Sequence, residues 1–358
     1  MKETESLSIR LYSPFYSVWR NFSLLCYVNS KAAIEIWGFG SPIKIGKQSD
    51  IGGIVVDALP WRQRIGSQRD WMWRGWQTRY TYLRSQKSES DPPLMLIHGF
   101  GASIGHWRHN VSALSQHHTV YALDLLGFGA SEKAIAPYNV VLWIEQVHDF
   151  WLTFIREPVV LIGNSIGSMV CLAAAKAYPE MVKGVVMLNL PDSSVLDTPE
   201  WTGTAVKLFR PIAAVGKSIF TFPLIFNPFF RVLRSSSLIR LWARQAYTNS
   251  DSISDELVEI LSVPARDRGA VKALRSMVTT PKMTEYRARS ILPAMRLPML
   301  LFWGKQDKFV PPSLAESCVK LNPKLELVEI ENAGHCPHDE QPEIVNRKIL
   351  SWIEEWVR

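Results

Sequence analysis

Residues 158–177 read PVVLIGNSIGSMVCLAAAKA, and three patterns succeed one another within them. PVVLI is a short, β-branched, apolar run of the kind that forms a buried strand. SMVCLAAAKA is a helix-forming run. Between them lies GNSIG, with Gly163 and Gly167 flanking Ser165 at the spacing G-x-S-x-G. A turn this sharp has no room for side chains on either flank, and it lifts the serine hydroxyl above the sheet in a strained backbone conformation. Ser165 is therefore the candidate nucleophile.

The rhythm of this stretch extends outward in both directions. Apolar runs occur at 93–99 (PLMLIHG), 119–127 (TVYALDLLG), 184–190 (GVVMLNL), 298–304 (PMLLFWG) and 325–331 (LELVEIE), with helix-like segments such as Val140 to Phe154 and Ile166 to Ala177 between. Strand–helix alternation with wholly apolar strands predicts an α/β fold with a mostly parallel sheet covered on both faces. The rhythm breaks once, between Leu190 and Pro298. That stretch reads as a helical cap inserted after the sixth strand, over the strand ends where open α/β sheets bind ligands. The expected organisation is an N-terminal extension at 1–55, the first part of the core at 56–190, the cap at 191–297 and the second part of the core at 298–358. Residues 71–84, WMWRGWQTRYTYLR, fit a hairpin or edge strands, whereas residues 1–55 show no readable period.

A serine is a poor nucleophile at neutral pH and needs a base in contact. In this architecture the order is serine, acid, histidine. His335 lies just past the last strand, in ENAGHCPHDEQPE, and Asp307 just past PMLLFWG. His335 is expected to take the serine proton and return it to the leaving group. Asp307 is expected to fix the imidazole tautomer. His338 is the rival base and Asp192 the rival acid. An oxyanion hole needs two backbone N–H groups, and the candidates are Ile166, next after the nucleophile, and Phe100 in HGFGAS (98–103). Gly99, Gly101 and Gly105 miss the dinucleotide spacing G-x-G-x-x-G. The pair His335/His338 has no third ligand at suitable spacing. No cofactor and no metal are expected.

Composition sets the outer bounds. Of 358 residues 47% are apolar and 20% charged, enough to build a large core and incompatible with wholesale disorder. Four cysteines without CxxC spacing point to a reducing compartment. The net charge of +7 is concentrated at 201–250, which holds Lys207, Arg210, Lys217, Arg231, Arg234, Arg240 and Arg244 and no acidic residue. Basic residues among Phe220, Phe222, Phe226, Phe229 and Phe230 point to a membrane surface or lipid-like ligand rather than nucleic acid. Trp107, Phe222, Phe226 and Phe229 are the candidate lining of an apolar pocket. No run of 18 apolar residues predicts a transmembrane helix, and Glu3 and Glu5 at the start argue against a signal peptide. Oligomeric state is not readable.

HGFGAS, DLLGFGASEK (124–133), GNSIG, WGKQD and AGHCPHDEQPE together resemble the α/β-hydrolase superfamily, over the chain from about Trp71 to the C-terminus. WMWRGWQTRYTY, HGFGASIGHWRHN and GNSIGS further resemble the chlorophyll dephytylase and pheophytinase-like branch of photosynthetic organisms. That resemblance implies hydrolysis of the phytyl ester of chlorophyll by Ser165 through an acyl-enzyme, in the cytoplasm or peripherally on the thylakoid membrane. The chain departs from the pheophytinase-like pattern GNSxGG at Ser168. Haloalkane dehalogenases and epoxide hydrolases of the same superfamily carry an aspartate as nucleophile, so Ser165 favours ester, thioester or carbon–carbon hydrolysis. A meta-cleavage hydrolase, a generic carboxylesterase and an inactive binding protein of the same fold are the alternatives.

Overall fold

The computed structural model describes residues 26–29, 33–38, 41–44, 59–85, 91–196, 223–281 and 283–357. The chain divides into two compact units, Met1–Ala58 and Leu59–Arg358. In the first, β1 (Cys26–Asn29), β2 (Ala33–Gly38) and β3 (Ser41–Lys44) form an antiparallel sheet in the order β1-β2-β3. No period was readable at 1–55. Strands of four to six residues are too short to display one.

The second unit is built on an eight-stranded sheet, ordered β11-β10-β9-β8-β6-β7-β5-β4. The antiparallel hairpin β4 (Ser67–Trp73) and β5 (Trp76–Leu83) forms one edge. Its two-residue turn, Arg74–Gly75, has positive φ at both positions, the twist that matches a right-handed strand pair. The strands β6 (Leu94–Ile97), β7 (Val120–Leu123), β8 (Val159–Asn164), β9 (Val182–Leu188), β10 (Met299–Gly304) and β11 (Leu325–Ile330) are parallel. β6, β8 and β10 are buried along their whole length. Burial on both faces explains why their sequences are continuously apolar rather than alternating.

Two hydrophobic layers cover the two faces. One gathers around α1 (Val140–Phe154) and α2 (Ile166–Ala177), with Phe150, Val147 and Cys171 at its centre. The other gathers around the C-terminal helix, with Trp352, Ile349 and Ile353 packed beside Trp107 and Phe302. Between β9 and β10 the chain leaves the sheet and forms the cap. Its described helices of eight or more residues are α3 (Pro223–Leu233), α4 (Ser236–Ala246), α5 (Asp255–Ser262) and α6 (Ala270–Thr279). Among the described residues no helix is long and apolar enough to cross a membrane.

Candidate active site

The residues singled out in the sequence converge on the carboxyl ends of the parallel strands. Ser165 follows β8 directly and opens α2 with φ 54° and ψ −120°. A left-handed serine is strained by about 1–3 kcal/mol and persists only where its surroundings impose it. Those surroundings are visible. A Cβ on Gly163 would lie 2.3 Å from the Gly167 carbonyl carbon, and one on Gly167 would lie 2.2 Å from Ile97 O. The Ser165 N–H donates to Leu188 O at 2.9 Å. Ser168 is fully buried, and its hydroxyl bonds Gly163 O at 2.7 Å and accepts from Leu188 N at 3.0 Å. Ser168 therefore staples the elbow to β9 and faces no ligand space.

His335 and Asp307 meet as the sequence order implies. His335 Nδ1 lies 2.8 Å from Asp307 Oδ2. The Asp307 carboxylate is fully engaged: Oδ1 accepts from Phe309 N at 2.7 Å and Val310 N at 3.0 Å, and Oδ2 accepts from Asn189 Nδ2 at 2.6 Å. The elbow is joined to the histidine loop by Asn164, whose Nδ2 donates to His335 O at 3.0 Å. Ser165, His335 and Asp307 are each more than nine-tenths buried.

Asn189, one residue past β9, was not recognised from sequence. It is fully buried with φ 52°, donates to both Asp307 and Gly334 O, and accepts from Gly304 N. The available signal was a polar residue terminating the apolar run GVVMLNL. The rival acid Asp192 has a different task. Its Oδ1 accepts from Ser194 N at 2.9 Å and its Oδ2 from Ala288 N at 2.6 Å, pinning the base of the cap.

The loop after β6 abuts the elbow. A Cβ at Gly99 would come within 2.9 Å of Asn164 Oδ1 and 3.3 Å of Ser165 Cβ, so only glycine permits this approach. His98 Nδ1 donates to Gly99 O at 2.7 Å, and its Nε2 accepts from Leu125 N at 3.1 Å. These partners assign a neutral ring with the proton on Nδ1, and burial holds its pKa down at about 4. Asp124 supports the loop from below, accepting from Ile104 N at 2.6 Å and Ala130 N at 2.7 Å, while burial pushes its pKa up to about 6. Phe100 is half exposed, its ring edge-on to Phe128 at 5.4 Å. The N–H of Ile166 sits in the first turn of α2, where backbone donors have no partner within the helix and favour negative charge.

Two of the expected pocket residues are corrected. Trp107 is 1% exposed and packs against His338 at 4.3 Å within the sheet's lower layer, because it closes a short, wholly buried 3-10 turn. Phe226 is fully buried with Phe230 and Ala270 in the cap's own core. Both aromatic rings fill hydrophobic layers and leave no surface for a ligand. Phe222 and the Phe229 side chain lie outside the described residues.

His338, the rival base, is fully buried, and desolvation drives its pKa well below the usual histidine value. It stands beside a charged cluster. Asp339 Oδ1 lies 2.9 Å from Arg108 Nη1, and Asp339 Oδ2 accepts from Tyr247 OH at 2.7 Å. Burial pushes the Asp339 carboxyl up, but Arg108 and its neighbours overcome that and hold it at about 2. Next along, Glu340 bridges two parts of the fold. Its Oε1 accepts from Gly334 N at 2.7 Å, and its Oε2 accepts from Thr248 N at 2.6 Å. His335 N donates to Ala246 O at 2.7 Å. The histidine loop is thus tied directly to the end of cap helix α4. Among the described residues no group of three His, Cys, Asp or Glu is placed to hold a metal ion.

Residues 92–342 match the family model for the alpha/beta hydrolase fold. The chain belongs to that family. It is 28% identical to the chloroplastic pheophytinase of Arabidopsis thaliana over 307 residues, which cover 74% of this chain and 61% of that protein's length. It is 26% identical to epoxide hydrolase 4 of Mus musculus, with 78% and 77% of the two chains covered. Among solved structures, a bacterial membrane phospholipase A aligns with a TM-score of 0.66 at 25% identity, over 82% of this chain and 88% of that one. A meta-cleavage product hydrolase of Pseudomonas fluorescens aligns with a TM-score of 0.64 at 20% identity, over 82% and 98%. The chain therefore has the alpha/beta hydrolase fold over its matched residues.

Proposed function

We propose that this hydrolase cleaves a lipophilic carboxylic ester through an acyl-enzyme, with the phytyl ester of chlorophyll as the leading substrate. The observation that carries the reading is the joining of a strained, left-handed Ser165 to a paired His335–Asp307 through Asn164. In this scheme Ser165 Oγ attacks the ester carbonyl while His335 Nε2 takes its proton. The oxyanion forms against the N–H groups of Ile166 and Phe100. His335 then gives the proton to the departing alcohol, and water, activated in the same way, releases the acid. Asp307 holds the imidazole in place and steadies the imidazolium.

Support for the pigment ester comes from the pheophytinase relative and from the sequence motifs shared with that branch. Ser165 separates this chain from an epoxide-opening mechanism, which needs a carboxylate nucleophile, despite its similarity to epoxide hydrolase 4. Thylakoid association, through peripheral contact by the basic cap, belongs to the same proposal.

A fluorophosphonate probe tests the nucleophile. Wild type should be labelled and Ser165→Ala should not; absence of labelling in both would make the chain an inactive binding protein. Chlorophyll a, pheophytin a and a short p-nitrophenyl ester, followed by pigment chromatography, test the substrate. Chlorophyllide from wild type alone is the expected result, and turnover restricted to the short ester would remove the pigment reading.

A further inference from the structure

We propose that the cap carries a seat for the headgroup of an anionic lipid, in the cleft between α3 and the start of α6. The cleft has a volume of about 280 Å³ and is lined by Phe230, Arg231, Arg234, Gly269, Val271 and Lys272. Arg231 and Arg234 come from the basic segment visible in the sequence. Lys272 comes from a separate helix and joins them only in the folded chain. Among the described residues none of these three cations has an ion-pair partner. Other cations nearby do: Arg240 is paired with Asp255, and Lys133 lies 3.0 Å from Asp267. The acid closest in sequence to the cleft, Asp267, is half exposed and engaged by Lys133.

Three unpaired positive charges around one depression repel one another, and an anion between them relieves that repulsion. The floor is apolar. Phe230 is 7% exposed and rests in the cap core, with Val271 packed beside it. Val232, next to Arg231 on α3, is a 59% exposed aliphatic side chain on the same helix. A phosphate ringed by cations above an apolar floor matches the boundary between lipid headgroup and acyl chain. Inorganic phosphate would use the cations and leave the apolar surface wet. The inference deepens the proposed action on membrane-borne esters, but its test does not depend on catalysis.

The test uses full-length Ser165→Ala protein and flotation with two kinds of vesicle, phosphatidylcholine alone and phosphatidylcholine mixed with phosphatidylglycerol. Binding is expected only with the mixed vesicles. Changing Arg231, Arg234 and Lys272 together to Gln should weaken partition on the order of a hundredfold, or about fivefold per cation. Arg240→Gln, at the paired arginine, should leave it close to the parent. Thermal melting checks that the exposed substitutions leave the fold intact. Equal partition of the triple variant and its parent, or equal binding to both vesicles, overturns the proposal. So does release from mixed vesicles by inorganic phosphate but not by chloride at matched ionic strength, which would mark a site for soluble anions. Loss of esterase activity in wild type with vesicle binding intact would refute the catalytic reading alone.

Discussion

Asn189 shows how much of the site depends on a side chain that does no chemistry. It sits at positive φ, buried, with one amide reaching Asp307, the histidine loop and the end of β10. Asn189→Ala removes a hydrogen bond to an ionised acceptor and leaves Gly304 N and Gly334 O without it. Such bonds are worth about 1.5–3 kcal/mol. The rate of fluorophosphonate labelling should fall roughly ten- to a hundredfold, with a stability loss of about 1–3 kcal/mol in urea denaturation. A labelling rate equal to wild type would mean that Asp307 is positioned without it. Ser165, His335 and Asp307 could be singled out because each stands at a motif or just past a strand end. Asn189 was not, because a single buried amide leaves no pattern.

Between elements, the decisive contact is the one from the histidine loop to the cap. Glu340 accepts a backbone N–H from each side, and burial raises its pKa above the usual carboxylate value. Glu340→Gln keeps the shape but turns an N–H group toward one of those two donors. The expected cost is about 1–3 kcal/mol, with faster amide exchange at Gly334 and Thr248 than in wild type. Unchanged exchange at both amides would show that the cap is held elsewhere. The parallel strands were readable because burial on both faces makes them continuous apolar runs. The packing of individual aromatic side chains was not, since Phe226 and Trp107 carry the same composition whether they face a ligand or a core. Sequence spacing cannot tell those two surroundings apart, and the fold puts both residues in cores.

Across the whole molecule, buried titratable groups set the response to acid. His98 and His106 are held at about 4 by burial, and His338 is also shifted well down. In the unfolded chain each would take a proton near pH 6.5. Below that the unfolded state binds more protons than the native state, so stability falls as pH drops from about 6.5 toward 4. Asp124 opposes this. Its folded pKa of about 6 lies above the unfolded value, so its contribution improves as pH falls from 6 to 4. Glu340, also raised by burial, acts in the same direction as Asp124, and three histidines against these two carboxyls give a net loss. Asp339, held at about 2, adds a further loss below about pH 4. Urea midpoints measured from pH 8 to 4 should decline below 6.5, and a flat profile would show that the native state takes up protons as readily as the unfolded chain.

The amino-acid sequence determined the class of fold, the strand that delivers Ser165 and the loops that deliver Asp307 and His335. It could do so because apolar periodicity and a tight glycine turn are local, and local sterics leave few alternatives. Tertiary structure decided what the remaining residues do. It drew Asp192 to the cap base and Asn189 to the acid, buried Trp107 and Phe226, and brought Lys272 to Arg231 and Arg234. Each of those assignments depends on which distant surface a side chain meets, and that is fixed only when the layers pack.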